Sequence, residues 1–171
     1  EKQSIQAAVA VSDSGIINER NRAVWERYGV VVLESSRVLS AEEADAIDTT
    51  LAALPADRRP EVISLEGASQ DSVGEYQWNT RSVVIPSNAA PGGEDWNKEG
   101  YCGTLLHEIV HYCDVNGRAD ITTAYEDKRT SLESDPLTYN YARSYGQTNV
   151  LEDIATMHEG YFEDSHHMVL R

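Results

Sequence analysis

The sequence predicts a single α+β domain, a small mixed sheet with helices packed on it, and three observations carry that prediction. β-branched runs recur at 30–34, 61–66 and 81–85 and read as strands. Ser40 stands three residues before Glu43, ahead of Ala44, Ile47, Leu51 and Leu54, which gives a capping box followed by one apolar helical face. From Thr104 to Asn116, Leu105, Leu106, Ile109, Val110 and Cys113 fall on a second broad apolar face. The 171 residues fit one domain, long enough to bury roughly 70% of the unfolded surface. Residues 1–100 form its sheet-and-helix part and residues 101–171 its helical part.

The elements follow in order. Residues 1–17 read as a strand or an ordered arm, and 18–28 as a short helix that stops at Gly29, with Trp25 in the core. A buried strand is expected over 30–34, and the capped helix from Ser40 ends before Pro55. EVISLE at 61–66 alternates as a strand does. After a polar loop from Gly67 to Gly74, strands are expected at 76–78 and 81–85, joined by a two-residue turn at Asn79-Thr80. Pro86 suits an edge position for the second of these. Ser87–Gly100 is turn-rich and reads as a surface loop. Asn116-Gly117 would cap the helix that starts at Thr104. Residues 118–147 are polar, with one short helix near 121–133, and a last helix runs from Thr148-Asn149 to Phe162, followed by a polar tail.

Charge narrows the partners. Fourteen basic against 29 acidic residues give a net charge of −15, so nucleic acid and anionic lipid would meet a repulsive field while a basic peptide would be attracted. No apolar run approaches the ~20 residues that span a bilayer. Cys102 and Cys113 are eleven residues apart on one expected helix. That is roughly 16 Å at 1.5 Å per residue, too far for a disulfide, so both are expected as thiols.

His107-Glu108-Ile109-Val110-His111 fits the pattern H-E-x-x-H. On a helix, imidazoles at i and i+4 share a face and can hold one Zn²⁺ between them. Glu108 lies beside them, placed to take a proton from a water molecule that the metal acidifies. A third protein ligand is required. The positions that would complete a metzincin pattern hold Asp114 and Gly117, and no H-x-x-E-H arrangement occurs. Asp114, one turn after His111, is better placed to accept a hydrogen bond from a liganding imidazole. Another helix must then supply the ligand, from among Glu126, Glu133, Glu152, Asp153 and Glu159, with Glu133 a strong competitor. His158, His166 and His167 read as surface or tail residues, and Trp78 and Trp96 as candidate walls of a substrate cleft.

One further segment bears on the choice. Ser144-Tyr-Gly-Gln-Thr-Asn-Val-Leu-Glu152 resembles the S-Y-G-x-T-N-x-x-E segment of the anthrax lethal factor catalytic domain and its relatives, which include the Pro-Pro endopeptidases. The run H-E-x-x-H-x-x-D, here His107, Glu108, His111 and Asp114, is similar as well, and the likeness covers residues 104–160. The resemblance implies a compact zincin-like catalytic domain whose C-terminal helix carries the third zinc ligand, Glu152. It implies Tyr145 as the donor to the oxyanion. It also implies a strand at Arg81–Pro86 lying along the substrate, so that Arg81, Val83, Val84 and Trp78 would contact it. Relatives continue E-D-F-A-E where this chain has Glu152-Asp-Ile-Ala-Thr156, so the last acid of that run is missing. The expected function is that of a metalloendopeptidase of the glutamate-ligated class, with one Zn²⁺ per chain and a protein or peptide substrate. The resemblance, with a first residue that is not Met, also leads to an expectation of a secreted or extracytoplasmic protein. The alternative is a zincin-like module that has lost its chemistry and binds a protein partner. Retention of Glu108 and Tyr145 argues against it, because a retired site has no need of a water-activating acid.

Overall fold

A helix that runs out of helix formers at a glycine must turn there, and the chain does so first at Gly29. In the computed structural model, which describes residues 19–67, 74–94, 96–115 and 151–157, helix α1 spans Glu19–Tyr28. Gly29 follows at φ 72°, and its N–H closes onto the Trp25 carbonyl at 2.8 Å. Only a residue without a Cβ adopts that left-handed angle without strain. Val24 turns into the core, whereas Trp25, one position on, is 48% exposed. The expectation of a core tryptophan is therefore corrected. A helix rotates by about 100° per residue, and α1 is too narrow in its buried face to hold both.

Strand β1 (Val31–Leu33) follows, and then helix α2 (Ala41–Ala53). Ser40 is its N-cap, its hydroxyl accepting from the Glu43 N–H at 3.1 Å. The reciprocal half of the expected capping box is not made. The Glu43 side chain is 1% exposed and accepts from Arg37 Nη1 at 2.6 Å and from the Tyr101 hydroxyl at 3.1 Å. Arg37 also donates to the carbonyls of Glu66 and Ile85, so a single guanidinium ties α2 to the ends of two strands. At the far end of α2, Arg59 donates to the carbonyls of Leu51, which also accepts the Leu54 N–H, and of Leu54.

Strands β2 (Val62–Leu65), β3 (Glu75–Gln77) and β4 (Ser82–Ile85) complete a four-stranded sheet in the order β1-β2-β4-β3. β1, β2 and β4 are parallel, and β3 is antiparallel to β4. β4 thus lies between two hydrogen-bonded neighbours and is not the edge strand that Pro86 suggested. Pro86 sits one residue beyond the last paired position, Ile85, where no ladder N–H is needed. The edge falls to β3. In the hairpin, Gln77 still pairs with Ser82, so the connection takes the four residues 78–81 instead of two. Arg81 lies in that turn at φ 54°, outside the strand.

Helix α3 (Lys98–Val115) packs on α2, β3 and β4. It begins six residues earlier than its apolar pattern indicated. The Asn97 side-chain oxygen accepts from the Glu99 N–H at 3.2 Å, and the Asn97 carbonyl accepts from the Tyr101 N–H at 2.8 Å. This cap starts a helix through Gly100 and Gly103 despite their poor propensity. Leu39, Ile47, Leu51, Ile63, Leu65, Ile85, Leu105 and Ile109 are completely or almost completely buried between sheet and helices, each stabilising the fold by roughly 1.5–3 kcal/mol. Neither Cys102 nor Cys113 is in a disulfide, as their separation required. Residues 151–157, here α4, form the last described helical stretch. The arm at 1–17, the cap at Asn116-Gly117 and the helix expected near 121–133 lie outside the described residues. Among the described residues, no helix is long and apolar enough to cross a membrane.

Candidate metal centre

Two elements build the centre. α3 presents its third and fourth turns to the sheet through Leu105 and Ile109, and this packing turns His107 and His111 together toward α4. α4 buries Ile154 and Ala155, and so directs Glu152 back at the imidazoles. The His107 Nε2 lies 3.0 Å from Glu152 Oε2, the His111 Nε2 lies 3.1 Å from that of His107, and His111 Nε2 to Glu152 Oε2 is 3.5 Å. The two rings meet edge to face with centroids 4.9 Å apart.

These separations test whether a metal fits. Around a tetrahedral ion with bonds of roughly 2.0–2.1 Å, donor atoms stand about 3.3–3.4 Å apart. The three observed distances bracket that value. The chemistry agrees, because two imidazole nitrogens and a carboxylate oxygen converge as lone-pair donors and need protons or a cation between them. His107, His111 and Glu152 therefore form a group able to hold a metal ion, and it is the one such group among the described residues. Two nitrogens and one oxygen suit a first-row divalent ion.

Glu108 sits beside the trio and is not a member of it. It is 7% exposed, and the main-chain N–H of Tyr76 in β3 donates to its carboxylate. Burial pushes its carboxyl up to about 7, while the neighbouring His107 pulls the other way. The sign of the consequence follows. In metal-free protein the folded state holds this proton more tightly than the unfolded chain, whose value is 4.5. The stability from Glu108 is complete below pH 4.5 and is lost as pH rises through about 7, a swing on the order of 3 kcal/mol. Denaturant unfolding of chelator-treated protein at pH 4.5 and pH 8 should show this swing, and Glu108→Gln should remove it.

Other expected residues are placed as follows. Asp114 lies in α3 one turn past His111, with its side chain outside the described residues. Tyr145, Glu126, Glu133, Glu159 and His158 are also outside them. Asp153 is fully buried and does not join the trio. Val83 is fully buried and Val84 6% exposed in an interior strand, and Arg81 lies in the turn before it, so the strand expected to lie along the substrate at Arg81–Pro86 is not an edge of the sheet. Trp78, 62% exposed beside the edge strand and packed edge-on against Tyr76, keeps a position open to a ligand. Trp96 meets Tyr101 edge to face, with ring centroids 5.5 Å apart, against the core. Three residues escaped sequence reasoning: Gly74, whose backbone lies against Glu108, Tyr76, whose N–H binds it, and Thr104 next to both. No spacing rule marks a main-chain donor.

Comparison of the chain with protein-family models, with characterised proteins and with solved structures finds no match in any of the three.

Proposed function

We propose that the protein is a zinc-dependent endopeptidase related to the lethal factor-like zincins. The observation that carries this reading is that the H-E-x-x-H histidines and Glu152, 45 positions from His107, meet at ligand spacing with a buried Glu108 at their side. A bound Zn²⁺ would polarise the scissile carbonyl and make water acidic enough to attack near neutral pH. Glu108 takes the proton from the attacking water and returns it to the leaving amine. Burial of the Glu108 carboxylate opposes its charged form, which favours uptake of the proton in the first half of that exchange. Tyr145 is assigned the hydrogen bond to the oxygen on which charge develops.

The substrate is read as an extended peptide lying beside β3, one of the sheet's two outer strands among the described residues and the one next to Glu108. The net charge of −15 favours basic peptides. The test is turnover of a library of extended peptides by the purified protein. Hydrolysis should disappear on chelation and return with stoichiometric zinc. Persistent cleavage after the metal is removed, or none with it restored, would reject the assignment.

A further inference from the structure

Glu108 needs more than a place on the right helix. Its side chain has three rotatable bonds, and a general base must be held to within about half an ångström of its working position. The contact that restricts it comes from the chain just before β3. A Cβ placed on Gly74 would stand 2.6 Å from Thr104 Cγ2, 3.1 Å from Glu108 Cγ and 3.3 Å from Glu108 Oε1. Such approaches are shorter than real Cβ atoms tolerate or lie at the limit. Thr104 and Glu108 are i and i+4 on α3, so the bare backbone at Gly74 lies along the ridge they form. Gly29 and Gly92 adopt positive φ angles, but Gly74 has no such requirement. Space, not backbone conformation, is what a glycine supplies at this point. Two residues on, the Tyr76 N–H donates to the Glu108 carboxylate.

We infer that Gly74 is a positioning residue for Glu108: its missing side chain lets the start of β3 press on Thr104 and Glu108, so that the Tyr76 N–H holds the carboxylate beside His107. The three atoms nearest to a Cβ at position 74 belong to Thr104 and Glu108, and none of them is a donor of the metal-holding trio. This rests on the proposed peptidase reading for its catalytic consequence, but the contact itself does not.

The experiment compares wild type, Gly74→Ala, Thr104→Ser and Gly74→Ala/Thr104→Ser. Thr104→Ser deletes only the methyl group that an alanine at position 74 would strike. Three quantities are read: zinc affinity by competition with a chromophoric chelator, the thermal midpoint of metal-free protein, and kcat and KM on a cleaved peptide. Gly74→Ala should lower kcat at least tenfold while KM and zinc affinity stay within twofold, and the double variant should regain at least threefold of the loss. A kcat within twofold of wild type overturns the inference. So does a loss shared equally by zinc affinity, or a double variant that regains nothing. If Gly74→Ala alone does not fold, the double variant must, and its failure to fold overturns the inference too. If wild type cleaves no peptide, the peptidase reading fails separately. The contact then stands or falls on whether Gly74→Ala lowers the metal-free thermal midpoint less in Thr104→Ser and Glu108→Ala backgrounds than in wild type.

Discussion

Glu108→Gln is expected to lower kcat for peptide hydrolysis by about 10³-fold and to leave zinc bound. Glutamine has nearly the same shape and can keep the Tyr76 N–H as a partner, but it cannot accept the proton of an attacking water. The group able to hold a metal is His107, His111 and Glu152, so nothing in the proposed coordination depends on the substituted group. The variant also removes a charge that burial opposes, so its metal-free form should be more stable than wild type at pH 8. Kinetics on a cleaved peptide, with zinc content measured on the same sample, checks both halves. Wild-type turnover by the variant would end the role assigned to Glu108. Loss of zinc in step with activity would mean that the residue supports the metal instead of the proton.

Glu152→Ala should weaken zinc binding by more than about a hundredfold, a larger loss than removal of a supporting hydrogen-bond partner causes. It takes away one of three donors and leaves two imidazole nitrogens 3.1 Å apart, a pair that holds zinc poorly without a third ligand. Glu133→Ala and Glu159→Ala are the controls, since the spacing in the chain allowed either to be the ligand. Both should leave the affinity unchanged in the same chelator competition. If Glu133→Ala proved the damaging change, the convergence of Glu152 with the histidines would be a contact without a metal function.

Local rules carried part of this architecture well. Ser40 announces α2, Gly29 ends α1, and the period of Leu105 and Ile109 places both histidines on one helical face, because each signal is complete within one or two turns of chain. Strand order is different. Pro86 is compatible with an edge strand and equally with the residue after an interior one, and only the packing of β2 beside β4 separates the two. The start of α3 was hidden for a related reason. Gly100 and Gly103 lower helix propensity, while the burial of Tyr101 and Cys102, which offsets it, depends on residues more than fifty positions away. Likewise, Trp25 was assigned to the core from residue type, but its exposure is set by which side of α1 meets α2. The donor trio itself was legible only in part: spacing gave the histidines, while Glu152 stood among several carboxylates until the fold brought it within 3.0 Å of His107.

The separation of Glu152 from the helix it faces has a thermodynamic side. Its carboxylate and the His107 imidazole close a ring of 45 residues. An ion gripping both ends would act as a reversible cross-link, restricting the unfolded chain much as a disulfide does, with a loop-closure effect of about 4 kcal/mol for a ring of that size. With neither cysteine in a disulfide, the metal would then serve as a staple. Loading with zinc would raise resistance to unfolding and to digestion between α3 and α4, linking the protein's lifetime to the same ion that the proposed chemistry requires.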